Sequence, residues 1–127
     1  MIHSIADVAR DEVIEFDHAV LADICRNHGD QAEAVIADRL GRIETLLHLA
    51  QDQINDGHHG GLMRSCRDLV GLAREIGMRT LVRAAIGVID CLEQGQDQAL
   101  RACTRRMLHL GRPETVSQWT VRHDTVA

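Results

Sequence analysis

Apolar residues recur every three or four positions along residues 36–54, and this spacing limits the fold more than any other feature of the chain. The stripe consists of Ile36, Leu40, Ile43, Leu47, Ala50 and Ile54. Side chains at this spacing lie on one side of an α-helix, so the pattern predicts a long helix over residues 30–55 with Asp30 as its N-cap. Val35, Leu46 and Leu49 widen the stripe, which predicts that the helix packs against two neighbours rather than one.

Four shorter segments carry the same helical spacing, over residues 17–27, 61–76, 79–94 and 97–110. Glycines end or separate them, and the turn over residues 55–61 holds three glycines. Aromatic residues make up only 2% of the chain, so the core must be built from aliphatic residues, methionine and cysteine, which favours helix packing over sheets. We therefore predict an all-α protein, an antiparallel four-helix bundle with an additional short N-terminal helix.

The chain divides into three parts by composition and spacing. Residues 16–111 are expected to form the bundle, residues 1–15 an N-terminal arm or short helix, and residues 112–127 a polar C-terminal tail. Pro113 stops the last helix, because proline cannot continue it, and the helical spacing is lost beyond that point. Trp119 stands alone in the tail, either within a disordered segment or as an anchor for docking.

Charge and residue types exclude several classes of function. The net charge of -5 argues against a nucleic-acid-binding protein, because phosphate contacts require clustered positive charge. All 14 basic residues are arginines, which excludes a Schiff-base lysine and a Walker-type phosphate loop. No residues show the spacing of a catalytic set or a metal site, so we expect a protein that is not an enzyme and needs no metal or cofactor.

The four cysteines are Cys25, Cys66, Cys91 and Cys103, and none belongs to a C-x-x-C pair. Their apolar surroundings predict small buried side chains in a reducing compartment. No apolar run approaches the ~20 residues that a bilayer-spanning helix needs, and the N-terminus lacks the apolar core of a signal peptide. We therefore expect a cytoplasmic protein that does not associate with membranes.

The exposed side of the segment over residues 61–76 carries an unusual set of residues. The spacing places together Gly60, Arg64, Arg67, Gly71, Arg74 and Met78. A glycine inside a helix is less favourable than alanine by roughly 1 kcal/mol, so Gly71 suggests the close approach of another backbone or protein. The simpler interpretation is that the three arginines form an ordinary solvated surface.

Residues 67–77, which read RDLVGLAREIG, resemble the signature of histidine-phosphotransfer domains. That signature has the form His-x-Leu-Lys-Gly, followed by a small residue and then by Leu-Gly near the end of the helix. Leu69, Gly71, Ala73 and Gly77 match it, and the stretch from Cys91 to Glu93 resembles the end of the family's next helix. The resemblance covers roughly residues 16–111 and implies a four-helix bundle that acts in the phosphorelay of a two-component system.

The family's phosphoryl-accepting histidine falls on Arg67, and its lysine falls on Val70. Arginine stays protonated and has no free lone pair, so it cannot accept phosphate as imidazole does. The resemblance therefore implies a pseudo-catalytic phosphorelay protein, which uses Arg64, Arg67, Gly71 and Arg74 to bind the acidic active site of a response-regulator receiver domain. A sensor kinase is a further candidate partner.

Other interpretations of the same region stay open. His58 or His59 in the glycine-rich turn could replace the missing phosphoacceptor, although a loop imidazole lacks the fixed presentation that a helix provides. A metal site formed by His58, His59 and Cys66 matches no standard zinc spacing. In a different class of function, the chain is a homodimerising helical scaffold without phosphoryl chemistry.

Overall fold

Five α-helices follow one another in the computed structural model, which describes residues 15–111. They are α1 (His18–His28), α2 (Ala32–Asn55), α3 (His59–Glu75), α4 (Arg79–Gln94) and α5 (Asp97–Leu110), with a 3₁₀ turn over Gly29–Gln31 between α1 and α2. The all-α prediction is confirmed for this part of the chain. The arm predicted over residues 1–15, apart from Glu15, and the tail predicted over residues 112–127, with Trp119, lie outside the described residues.

A single hydrophobic core connects the helices. In chain order α2 packs on α3, α3 on α4 and α4 on α5, while α1 lies against α2. The largest fully buried side chains are Leu62, Leu69, Ile76, Met78, Leu81, Met107 and Leu110. Because α3 buries Leu62, Cys66, Leu69 and Ala73 at spacings of four and three, the opposite side of α3 faces solvent. No helix among residues 15–111 has both the length and the apolar character needed to cross a membrane.

The first two helices begin in different ways. Asp17 is the N-cap of α1, and its carboxylate accepts hydrogen bonds from the backbone N–H of Ala19 (3.0 Å) and Val20 (3.4 Å), as helix capping requires. The predicted N-cap role of Asp30 is wrong. Gly29 adopts a φ of 55° and leads directly into the 3₁₀ turn that contains Asp30, so α2 begins at Ala32 without a side-chain cap.

The junction between α3 and α4 binds the segment that precedes α1. The backbone N–H of Asp17 donates to the Gly77 carbonyl (2.8 Å), and that of Arg79 donates to the Glu15 carbonyl (2.9 Å). Gly77 has a φ of 71°, and a Cβ there would lie 3.0 Å from the Asp17 carbonyl oxygen, so both conformation and space require glycine. Met78 is fully buried rather than exposed as predicted, because the left-handed Gly77 ends the helical periodicity of α3.

The outer flank of α2 differs from the prediction at one residue. Leu49, expected to widen the buried stripe, is 45% exposed, whereas Leu47 and Ala50 beside it are buried. Helix α2 packs mainly on α3 and more weakly on α1 and α5, and this packing leaves Leu49 partly exposed.

Candidate functional site

The solvent-facing side of α3 carries the predicted site residues. Arg64, Arg67, Gly71 and Arg74 are all exposed, and the core residues of α3 lie on the opposite side. These residues are exposed because the helical period places them on the side of α3 opposite its buried residues. The four residues do not, however, share one depression on the surface.

An open groove of about 530 Å³ lies between α2 and α3 and contains two of the four predicted residues. It is lined by Arg42, Thr45 and Leu46 from α2 and by Arg67, Asp68, Gly71, Leu72 and Glu75 from α3. We call this surface the α2–α3 groove. Arg74 lies instead in a second groove, together with Arg79 and Arg83, and Arg64 lines neither of the two. Arg67 and Gly71, four residues apart, are therefore the centre of the candidate site.

The charged side chains around the α2–α3 groove differ in whether they form ion pairs. Arg39 of α2 donates from Nε to Glu75 Oε2 of α3 (2.6 Å) and also binds Asp38, and these two bonds raise the pKa of its guanidinium. Arg42 binds the same Asp38 carboxylate at 3.3 Å. Arg67 forms no ion pair with any residue in the described part of the chain. Within residues 15–111 no ion pair therefore occupies the five N–H donors of its guanidinium.

Gly71 gives the groove a stretch of bare helix backbone. A Cβ built at this position would meet nothing within 4 Å, so no contact with another of residues 15–111 requires a glycine. An intrahelical glycine still lowers helix stability relative to alanine by about 1 kcal/mol. The main chain of α3 can therefore be approached closely from outside at this point, one helical turn from Arg67.

His59 is the first residue of α3, which corrects its predicted position in the turn, whereas His58 stays outside the helix, at the end of the turn. His58 is the N-cap, and its Nδ1 accepts a hydrogen bond from the Gly61 backbone N–H at 2.9 Å. This cap lets the helix begin two residues before residue 61. It also fixes the imidazole, so the objection that a loop histidine has no fixed presentation does not apply to His58. Arg67 follows His58 by nine residues, a rise of about 13 Å along the helix.

The junction around the His58 cap is closely packed. A Cβ on Gly61 would lie 2.6 Å from both His58 Nδ1 and Gln53 Nε2, which explains the glycine there. Ser65 donates to Gln53 Oε1 at 2.7 Å and so ties α3 to α2. Because Nδ1 accepts the hydrogen bond from the Gly61 backbone N–H, the neutral His58 ring carries its proton on Nε2.

None of the residues on the α2 side of the groove was identified from the sequence. Arg42, Thr45, Leu46 and the exposed Leu49 follow one another at helical spacings of three, one and three, and so lie on one flank of α2. That flank lies next to the apolar stripe of α2, and this position is the feature of the sequence that could have identified it as part of a groove. Which neighbour it faces depends on how α2 and α3 pack.

No group of three or more His, Cys, Asp or Glu side chains among residues 15–111 is arranged to hold a metal ion. Cys66 is completely buried, with its Sγ 3.9 Å from Met107 Sδ, and burial raises the pKa of its thiol to about 12. A neutral thiol is a poor metal ligand, because metals bind the thiolate. Cys66 therefore does not join His58 and His59 in a site.

Comparison of the chain with protein-family models, with curated proteins and with solved structures finds no match. A proposal for its function therefore depends on the side chains that α2 and α3 present to solvent.

Proposed function

We propose that this chain is a cytoplasmic phosphorelay protein of histidine-phosphotransfer type, which binds a response-regulator receiver domain and does not itself accept phosphate. In this proposal α2 to α5 form an antiparallel four-helix bundle preceded by the short α1. The observation that carries the proposal is Arg67. It is exposed, it has no ion pair among residues 15–111, and it lies beside the bare backbone of Gly71 at the position where the resemblance places the phosphoacceptor.

The chemistry of Arg67 fits binding and not transfer. Phosphoryl transfer through a side chain requires a lone pair that attacks phosphorus, and a protonated guanidinium has none. A guanidinium does bind carboxylates in a bidentate manner, and the active site of a receiver domain is a cluster of carboxylates around the phosphorylated aspartate. Arg67 would therefore enter that cluster as a cation.

Apolar contacts around the charge would supply much of the affinity. Leu46 and Leu72 line the α2–α3 groove and are half-buried, and Leu49 on the same flank of α2 is 45% exposed. Interfaces commonly place apolar anchors next to a central arginine, and covering them removes apolar surface from water. Gly71 allows the partner's backbone to come close to α3.

Charge reversal at Arg67 is the direct test. Arg67→Glu should weaken the binding of a cognate receiver domain by at least about tenfold, because a charge-assisted bond becomes a repulsion between carboxylates. Titration calorimetry against each receiver domain of the host would measure this. Arg101→Glu is the matched control, because Arg101 is also exposed and forms no ion pair in the described part of the chain, but lies on α5.

Three outcomes of this comparison separate docking from general electrostatics. A loss with Arg67→Glu and wild-type binding with Arg101→Glu supports the proposed surface. Equal losses in both variants would show that only net charge matters, and unchanged binding by Arg67→Glu would remove Arg67 from the interface. Circular dichroism should show the same helix content in both variants, since both side chains are exposed.

Restoring the family's histidine tests the same position by its chemistry. The variant Arg67→His should accept phosphate from a phosphorylated receiver domain and carry an acid-labile label, because it regains an exposed imidazole on α3. The unchanged chain should remain unlabelled in parallel. Label on the unchanged chain would identify another acceptor, with His58 and His59 the first to map, and would contradict the proposal that the chain only binds.

The exposed Leu49 also favours a second candidate, a homodimeric helical scaffold without phosphoryl chemistry. An exposed leucine beside an open groove is the kind of surface that a second copy can cover. Sedimentation of the unchanged chain and of Leu49→Lys would decide. A dimer that dissociates in Leu49→Lys, together with no receiver binding, would favour the scaffold over the phosphorelay protein.

A further inference from the structure

Two cysteines contact each other across the hairpin formed by α4 and α5. Cys91 lies near the end of α4 and Cys103 lies in the middle of α5, and their Sγ atoms are 3.6 Å apart. Both are free thiols. The other two cysteines, which also lie within residues 15–111, have different surroundings: Cys66 is buried against Met107, and Cys25 is exposed on α1.

We propose that Cys91 and Cys103 are an oxidative modification site, at which hydrogen peroxide converts the two thiols to a disulfide that joins α4 to α5. This inference is independent of receiver binding, because neither cysteine lines the α2–α3 groove. It requires one chemical class of oxidant, a two-electron peroxide, and no residue outside the pair.

The positions of the two sulfurs support direct bond formation. A disulfide has an S–S distance of about 2.05 Å, so the two Sγ atoms, now 3.6 Å apart, must approach by about 1.6 Å. Helices α4 and α5 already pack side by side, and the short turn around Gly95 sets their register. Side-chain rotation therefore has to supply only the last part of the approach, while the helices stay packed.

Accessibility determines which thiol reacts first. Cys103 is half-buried, whereas Cys91 is 8% exposed, so peroxide reaches Cys103 more easily. The Cys103 thiolate attacks one peroxide oxygen, the O–O bond breaks, and hydroxide leaves while Cys103 becomes a sulfenic acid. The Cys91 thiolate then attacks the Cys103 sulfur, the S–S bond forms and the S–O bond breaks. The two thiol protons and the two hydroxides give two molecules of water.

The surroundings of Cys91 set the pace of this reaction. Burial, followed by the hydrogen bond with Cys103, raises the pKa of the Cys91 thiol, which lowers the fraction of reactive thiolate. The raised pKa therefore slows the second step, in which Cys91 attacks the oxidised Cys103. Once formed, the bond closes the loop between residues 91 and 103 and removes conformations from the unfolded chain, which should raise the melting temperature by roughly 10 °C.

The test uses the full chain carrying Cys25→Ser, which prevents intermolecular bonds through the exposed thiol. The reduced protein is treated with hydrogen peroxide, unfolded, alkylated and measured by intact mass. Trypsin cleaves after Arg101, between the two cysteines, so a disulfide appears as two linked peptides. We expect linked peptides containing Cys91 and Cys103, and a higher melting temperature that returns to the reduced value after dithiothreitol.

A matched variant and an internal indicator make the result decisive. Cys103→Ser in the same background should form no bond and show no rise in melting temperature, and circular dichroism checks that it folds. In the chain with Cys25 retained, oxidation of Cys25 shows that the peroxide is active, and the treatment is extended well beyond that point because Cys103 is less accessible. Full alkylation of Cys91 and Cys103 after the extended treatment, or a disulfide that includes Cys66 instead, would overturn the proposal.

Discussion

Alkaline pH should destabilise this protein through its buried thiols, and the composition makes that effect measurable. The chain has no lysine and no tyrosine, and its 14 basic residues are arginines. Arginine stays charged above pH 12, and the α-amino group titrates near pH 8. Between about pH 9 and 11 the cysteines are therefore the side chains whose protonation changes.

The size of this loss of stability can be calculated for Cys66. Burial raises the pKa of its thiol from 9.0 to about 12, because the thiolate would lose its hydration in the core. The folded state thus keeps a proton that the unfolded chain releases, so stability is complete below pH 9 and falls as pH rises from 9 towards 12. At pH 10 the loss from this one group is about 1.4 kcal/mol. Cys91, whose pKa is raised by burial and by Cys103, adds a loss of the same sign.

Urea unfolding followed by circular dichroism at pH 8 and pH 10, with a reductant present, measures this loss. For an m-value near 2 kcal/mol/M, a loss of about 1.4 kcal/mol lowers the urea midpoint by about 0.7 M. Cys66→Ala should lower the stability at both pH values but reduce the difference between them. Cys25→Ser, at an exposed site, is the control and should keep the wild-type difference. An equal midpoint at both pH values, or a difference that Cys66→Ala leaves unchanged, would refute the reasoning.

Two further predictions concern helix α3. Gly71→Ala should raise the free energy of unfolding by about 1 kcal/mol, because the added methyl group meets nothing within 4 Å. Gly87→Ala, at an equally open position on α4, should raise it by the same amount. Of the glycine variants, only Gly71→Leu should also weaken receiver binding. His58→Ala should lower the free energy of unfolding by about 1 kcal/mol, because the hydrogen bond from the Gly61 N–H is lost. His58→Asn should restore most of this loss. Equal urea midpoints for the Ala and Asn variants would argue against capping.

Local features of the sequence predict the helices well. The bounds of α4 match residues 79–94 and those of α5 match residues 97–110, because apolar spacing and the adjacent glycines are both local signals. The start of α3 was placed two residues late, since histidine is not among the residue types that usually cap helices. At Asp30 the opposite error occurs: a cap was predicted and none forms. Aspartate is a residue type that favours caps, but here it lies within a 3₁₀ turn.

Features that depend on packing could not be predicted from the sequence. The spacing places Arg67 and Arg74 on the same exposed side of α3, but the helices next to α3 divide that side into two grooves. Leu49 is apolar and adjoins the buried stripe, yet it is 45% exposed, because whether it is covered depends on how closely the neighbouring helices approach that flank of α2. The contact between Cys91 and Cys103 likewise depends on the register of α4 against α5.

The fold gives a role to many residues of α3, but within residues 15–111 it gives none to exposed residues such as Arg67 and Gly71. Leu69 and its buried neighbours form the core, Gly61 makes room for the His58 cap, and Glu75 binds Arg39 across the groove. Gly87 shows that an open glycine in a helix does not by itself mark a site. Gly71 differs from it because it shares a groove with an arginine that has no ion pair in the described part of the chain. The proposed function assigns both residues to one receiver-binding surface, and the variants Arg67→Glu and Gly71→Leu test that assignment.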